Sequence, residues 1–183
     1  MRIERLAGGQ APVEWLEACL FIARALPQHF TPQGLADMES DLRRAETYVA
    51  TGAGETATAT RVSSDQVIGF LSLVRKGPAV GEILWMAVRP DLHRQGIGSS
   101  LLRQASTDLS VGGVRILLVK TLSAKVDYKP YERTRGFYEK NGFLLIETID
   151  PYPGWEAGNP CAIYAYSAES VHPFRRKPSG CSE

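Results

Sequence analysis

The fifteen residues from Val88 to Leu102, V-R-P-D-L-H-R-Q-G-I-G-S-S-L-L, carry the clearest chemistry in the chain. They read as a strand end, a Pro-Asp turn, a stretch of main chain opened by Gly96 and Gly98, and then an apolar helix. Such a turn leaves several amide N–H groups unpaired at the positive end of a helix dipole. That arrangement cradles a pyrophosphate without a metal. The segment therefore predicts a phosphorylated cofactor.

Spacing excludes two other phosphate loops. A dinucleotide fingerprint needs G-x-G-x-x-G after a first strand and an acidic residue about 20 positions on. Here Gly96 and Gly98 are followed by Ser99 and Leu101, in mid-chain, and no acidic residue closes a neighbouring strand. A Walker loop ends in Gly-Lys-Ser or Gly-Lys-Thr, which is also missing.

The segment resembles the cofactor loop of the GNAT superfamily, the acyl-CoA-dependent N-acetyltransferases, whose signature is Gln or Arg, two residues, Gly, one residue, and Gly or Ala. His93 stands in the first place, a departure from the pattern, followed by Arg94, Gln95, Gly96, Ile97 and Gly98. The resemblance implies that amides from Arg94 to Ser100, through Gln95, Gly96, Ile97, Gly98 and Ser99, hold the pyrophosphate of acetyl-CoA. Arg94 adds a guanidinium beside phosphate.

A second stretch, F-Y-E-K-N-G-F from Phe137 to Phe143, closes a short helix that begins near Tyr131 and ends at Gly142, a left-handed cap. Thr134, Phe137, Tyr138 and Asn141 share one face of it. In the resembled family the tyrosine of this motif protonates the departing thiolate, a role that falls to Tyr138, with Asn141 beside the cofactor. The family usually has Asn and Ala where this chain has Tyr131 and Thr134, a departure at the position that contacts the pantetheine arm.

The strand G-E-I-L-W-M-A-V-R-P leads into the phosphate turn. Histone acetyltransferases of the same superfamily begin this strand with a glutamate that removes the amine proton through water, so Glu82 is the implied general base. Alternation predicts Glu82, Leu84, Met86 and Val88 on one face and Ile83, Trp85 and Ala87 on the other. Glu82 then stands roughly 13 Å along the strand from Met86, so a water relay is required. Backbone N–H groups of Met86, Ala87 and Val88 would stabilise the oxyanion.

Taken alone, each feature has a plainer reading. A Gly-x-Gly turn is often only a tight connection, a tyrosine of this kind a half-buried core aromatic, and a glutamate at a strand end a solvated carboxylate. Their order over residues 81 to 143 is what favours the enzyme reading.

At 183 residues, 44% hydrophobic and 22% charged, the chain has room for one sizeable core. One domain over residues 1–170 is expected, with a flexible basic tail over 171–183. A formal charge of +1 gives no field for nucleic acid. No apolar run spans a bilayer, and the short one from Ala18 to Leu26 is broken by Arg24. Three widely spaced cysteines fit a reducing cytoplasm, direct transfer gives none of them a role, and no Cys/His cluster has metal spacing, so no metal is expected.

The expected elements are a strand over Arg2–Leu6, a helix from Ala11-Pro12 to about Leu26, and a second helix from about Gln33 to Ala45. A strand begins at Tyr48 to Ala50, and the Gly/Thr/Ala stretch to Thr60 reads as a turn region. Val67–Val74 pairs antiparallel with Glu82–Val88 through the Lys76-Gly77-Pro78 turn. The phosphate helix ends at Gly112-Gly113, and Val114–Leu122 is a buried strand parallel to its neighbour. Strands at Leu144–Ile149 and Ala162–Ser167 complete the sheet. The fold class is α/β: a GNAT-like, mostly antiparallel twisted sheet with helices on both faces and a splayed parallel pair of central strands.

By the same resemblance, the acceptor site is built by Leu26–Gln33, Ser123–Pro130 and Asp150–Pro160, which carry His29, Phe30, Tyr128, Tyr152 and Trp155. This lining suits a small or partly apolar amine, or the aromatics merely pin long loops. Asp127, Glu132 and Glu156 offer charge for a cationic acceptor, unranked. The expected function is acetyl transfer from acetyl-CoA to a primary amine of a small molecule or peptide in a ternary complex. The alternatives are a CoA-binding member without transfer activity and a plain interaction domain. Members of the family often pair through their sheets, so the resemblance allows a homodimer that the sequence does not specify.

Overall fold

The computed structural model describes residues 1–52 and 67–167. The Gly/Thr/Ala stretch from 53 to Thr60 and the tail at 171–183 lie outside the described residues. In chain order the elements are β1 (Arg2–Leu6), α1 (Val13–Arg24), α2 (Pro32–Leu42), β2 (Glu46–Thr51), β3 (Val67–Arg75), β4 (Val80–Val88), α3 (Ile97–Val111), β5 (Ile116–Leu122), α4 (Lys129–Lys140), β6 (Leu144–Ile149) and β7 (Cys161–Ser167).

The strands form one sheet in the order β1-β2-β3-β4-β5-β7-β6. Every neighbouring pair is antiparallel except β4 and β5. A parallel pair needs a crossover, and α3 supplies it. The expected architecture is therefore present.

Local signals account for the boundaries. Thr31 caps α2 by accepting from the Gly34 amide at 3.1 Å, with Pro32 at the first turn. The sequence placed the end of α2 near Ala45, but the helix stops at Leu42 because β2 begins at Glu46. Helix α4 ends in a Schellman motif: the Phe143 amide donates to Tyr138 O at 3.1 Å, the Gly142 amide to Glu139 O at 3.0 Å, and Gly142 has φ +86°.

Two apolar layers cover the sheet. On one face α1 and α2 bury Trp15, Leu16, Leu20, Met38 and Leu42 against Val49, Phe70 and Ala87. On the other, Ile97, Leu101, Leu102, Ala105 and Leu109 of α3 pack with Ile83, Leu117, Val119, Tyr138 and Phe143. Spacings of three and four along α3 put that stripe on one side.

One irregularity positions the site. The β3–β4 register passes from Leu73↔Ile83 to Ser72↔Trp85, leaving Leu84 without a partner on β3. A one-residue bulge inverts the alternation beyond it. Ile83, Met86 and Val88 consequently join the α3 layer, whereas Trp85 and Ala87 join the α1/α2 layer. Strict alternation had put Glu82 on the face of Met86. The bulge corrects that placement and leaves Glu82 on the side of Trp85.

The parallel ladder is short. Residues Val80 to Ile83 pair with Ile116 to Val119, and beyond Ile83 strand β4 has partners on β3 only. Strand β5 beyond Val119 pairs with β7 only. The two central strands thus splay after the bulge, and their free backbone edges face the gap.

Candidate active site

The phosphate turn follows β4 directly from its splayed end. After β4 a 3-10 turn at Pro90–Leu92 leads to Arg94 at φ +65° and Gly96 at φ +79°. His93 Nε2 lies 2.8 Å from Val88 O, an interaction that ties the start of the turn back to the strand. No amide from Arg94 to Ser99 donates to an acceptor among the described residues, and the Ser100 amide makes the first intrahelical bond, to Gly96 O at 2.9 Å. The run of open donors is one residue shorter than the sequence suggested. Gly96, left-handed at the helix start, provides no side-chain cap. The side chains of Arg94 and Gln95 are exposed, whereas Ile97 anchors the turn in the core.

Two glycines serve different ends here. Around Gly96 an added Cβ would meet nothing within 4 Å, so its role is the positive φ. At Gly98 an added Cβ would lie 3.1 Å from Met86 Cε and 3.1 Å from both Phe137 Cε2 and Cζ. This residue lets β4, α3 and α4 converge.

Tyr138 sits at that convergence. It is buried, with its ring 5.3 Å from the ring of Phe137 and 5.3 Å from that of Phe143. Burial, and secondarily the neighbouring Tyr131, push its phenol well above the ordinary tyrosine value. The hydroxyl is therefore protonated at neutral pH, and among the described residues it has no hydrogen-bond partner. Thr121, on the stretch of β5 that has lost β4 as neighbour, buries its Oγ1 unpartnered among the described residues. Asn141 donates from Nδ2 to Phe137 O at 2.8 Å.

Glu82 is occupied. Its side chain is 7% exposed, Oε1 accepts from Lys120 Nζ at 2.6 Å, and Oε2 lies 3.6 Å from Lys76 Nζ. Lys120 stands on the neighbouring strand and lies 5.3 Å from the centroid of the Tyr152 ring. Burial pulls the Lys120 ammonium down, but hydrogen bonds to Glu82 and Tyr152 outweigh it and leave the value raised. The sequence reading did not single out Lys120. The signal was a lysine inside the apolar strand I-L-L-V-K-T-L, since a lysine in a buried strand is paired.

On the α1/α2 side, rings bridge the splay. Trp85 of β4 lies 6.3 Å from Phe30, Phe30 6.4 Å from His29, His29 5.2 Å from Tyr131 on α4, and Tyr131 5.9 Å from Tyr128 just before that helix. Hydroxyls lock the bridge: Tyr131 donates to His29 O at 3.0 Å and Tyr128 to Gln28 O at 3.1 Å. Trp85 Nε1 donates to Asp41 at 2.8 Å. Burial, then the nearby His93, lowers the His29 imidazole below the ordinary histidine value. Trp155 meets Tyr152 edge-on at 5.4 Å, on the ring that faces Lys120, rather than in this bridge. The structure thus groups His29, Phe30 and Tyr128 and sets Trp155 apart.

A groove of about 440 Å³ runs between α3 and the end of α4, lined among others by Ser99, Arg103, Thr107, Asn141 and Tyr166. It begins at the open amides. Among the described residues no group of His, Cys, Asp and Glu is arranged for a metal, and no helix is long and apolar enough to cross a membrane.

Comparisons with known proteins bear on this arrangement. The model of the acetyltransferase (GNAT) domain family matches residues 44–144. A solved structure from Desulfovibrio desulfuricans assigned to the GNAT family superposes with a TM-score of 0.72 at 18% identity, covering 91% of this chain and 99% of that one. The ribosomal-protein-S18-alanine N-acetyltransferase of Escherichia coli gives 0.65 at 19% identity, over 91% and 94%. A GNAT acetyltransferase from Elizabethkingia anophelis, solved with acetyl-CoA bound, gives 0.61 at 20% identity, over 91% and 97%. At these identities the likeness is one of fold. Comparison with curated protein sequences finds no match.

Proposed function

This chain belongs to the acetyltransferase (GNAT) family, and we propose that it transfers an acetyl group from acetyl-CoA to a primary amine of a small molecule or peptide, directly and without an acyl-enzyme. The observation that carries this reading is the run of open amides from Arg94 to Ser99 after β4, at the end where it splays from β5, with Tyr138 in the same core cluster as Ile83 and Val119. Orphaned donors at a helix start fit a diphosphate, and the unpartnered Thr121 hydroxyl fits a polar arm lying in the gap. Acetyl-CoA supplies an activated acyl carbon and a thiol leaving group.

Each residue then has a task. Amides from Arg94 to Ser99 bind the diphosphate, and Arg94 adds charge at its edge. The groove along Ser99, Arg103 and Asn141 continues from those amides and takes the nucleoside end. Backbone N–H groups on the free edge of β4, in the stretch Met86 to Val88, face the site where negative charge develops on the acyl oxygen. Tyr138 holds a proton at its hydroxyl and gives it to the departing sulfur. Glu82, with lysines on both oxygens, ties β4 to β5 just before they splay, so its part is to position the strands.

The ring bridge bounds the acceptor site with Phe30, His29 and Tyr131, whose surfaces suit a compact amine with an apolar or aromatic neighbour. Two measurements test the reading together. Titration calorimetry with CoA should show saturable binding, and thiol release from acetyl-CoA should rise on adding amines. Failure to bind CoA would remove the reading entirely.

A further inference from the structure

An amine acceptor reaches the protein mostly as an ammonium, so one proton must leave it before nitrogen can attack. Both oxygens of Glu82 face lysines. We propose that His29 takes this proton, as a catalytic residue that touches the acceptor nitrogen. The inference rests on reading the chain as an N-acetyltransferase.

The geometry argues for it in three ways. First, the imidazole is a link in the chain of rings that joins β4 to α4: Phe30 lies between it and Trp85, the residue before Met86, and it packs edge-on against Tyr131 at 5.2 Å. Second, Tyr131 precedes Tyr138 by two helical turns and is close enough to act on it electrostatically. The Tyr131 hydroxyl is bonded to the His29 carbonyl, so this loop is tied to the helix that carries the general acid. Third, the ring is half-buried and its nitrogens have no hydrogen-bond partner among the described residues.

Among the described residues, His93 approaches His29 from the phosphate turn, Tyr131 of α4 packs on its ring, and Phe30 adjoins it in the same loop. Asp41 of α2 is turned instead to Trp85 and Arg44. No carboxylate among these holds the ring as an imidazolium. Burial lowers its value, so the ring is neutral at pH 7 and free to accept.

The step balances without another reactant. One ammonium N–H bond breaks, its electron pair stays on nitrogen, and the proton moves to an imidazole nitrogen. That pair forms the N–C bond to the acyl carbon as the C–S bond breaks and its electrons go to sulfur. Tyr138 protonates the sulfur, one of the two protons left on nitrogen restores the phenol, and the other stays on the product amide. His29 returns its proton to solvent.

The test is the pH dependence of kcat/KM for acetyl transfer to phenethylamine and to a tripeptide with a free N-terminus, for the wild type and for His29→Gln and His29→Ala. Wild type should lose activity on the acid side through a single ionisation below the ordinary histidine value of about 6.5. Each variant should fall by about 100-fold in kcat/KM, and its acid limb should move up toward the amine's own pKa. Calorimetric CoA affinity should stay in place. Added imidazole should restore part of the His29→Ala rate, which a purely structural role would not allow. Tyr131→Phe, which frees the loop and keeps the ring, should raise KM without moving the limb.

An unchanged acid limb in both His29 variants, or its loss in Glu82→Gln, would overturn the assignment and leave the transferase reading intact. Wild type that binds CoA and acetylates neither amine would overturn both.

Discussion

The Lys120 ammonium meets the buried Glu82 carboxylate at 2.6 Å across the last rungs of the parallel ladder between β4 and β5. Glu82 pairs in register with Leu118, and one residue further on the ladder ends. The ion pair therefore clamps the strands at the root of the gap. Replacing Lys120 by Met should leave Glu82 with only the longer contact to Lys76 and cost about 1–3 kcal/mol in urea denaturation. The double variant Glu82→Gln, Lys120→Met should recover part of that loss.

The same pair predicts an alkaline effect. The folded value of Lys120 is raised above its unfolded one, so its contribution is fully present below the unfolded value, about 10.4, and is lost as pH rises through the folded value. Wild type should lose more stability than Lys120→Met as pH climbs above about 10. Equal slopes for the two proteins would remove this contribution.

Gly96 and Gly98 should fail differently. Gly96→Ala faces no clash but must hold φ +79°, at a cost of about 1 kcal/mol, and Gly96→Asn should recover much of it because Asn tolerates that region. Gly98→Val should cost about 1–3 kcal/mol by pressing on Met86 and the Phe137 ring. Both changes should weaken CoA binding by calorimetry, the first through the turn and the second through the gap.

Tyr138→Phe keeps the ring packing against Phe137 and Phe143 and removes only a hydroxyl without a partner among the described residues. Stability should be unchanged or slightly higher. Turnover should drop by roughly 100-fold while CoA affinity holds. Parallel losses in kcat and CoA affinity would argue that the phenol binds rather than donates.

Much of this arrangement was legible in the residues. Apolar spacing along Ile97 to Leu109 gave α3, and Gly142 marked the end of α4, because both are local signals. The bulge at Leu84 was not legible: Ile83, Leu84 and Trp85 are all apolar, so no polar residue marks the change of face. Contacts between distant segments were equally hidden. Nothing local ties Tyr131 to His29, about a hundred residues away in sequence, or Lys120 to Glu82. Tyr128 of the loop before α4 pins the α1–α2 connection, in line with one of two open readings, but the second pin is Tyr131 of α4, and Tyr152 sits at Lys120 instead.

The central claim is that open main-chain donors of the phosphate turn hold the diphosphate of acetyl-CoA. Amide resonances followed by nuclear magnetic resonance during titration with CoA test it most directly. The account predicts that the largest shifts fall on Arg94 to Ser99, with Ser100 less affected because its amide is already bonded to Gly96. Saturable binding that leaves those amides unmoved, with the shifts elsewhere on the protein, would contradict it.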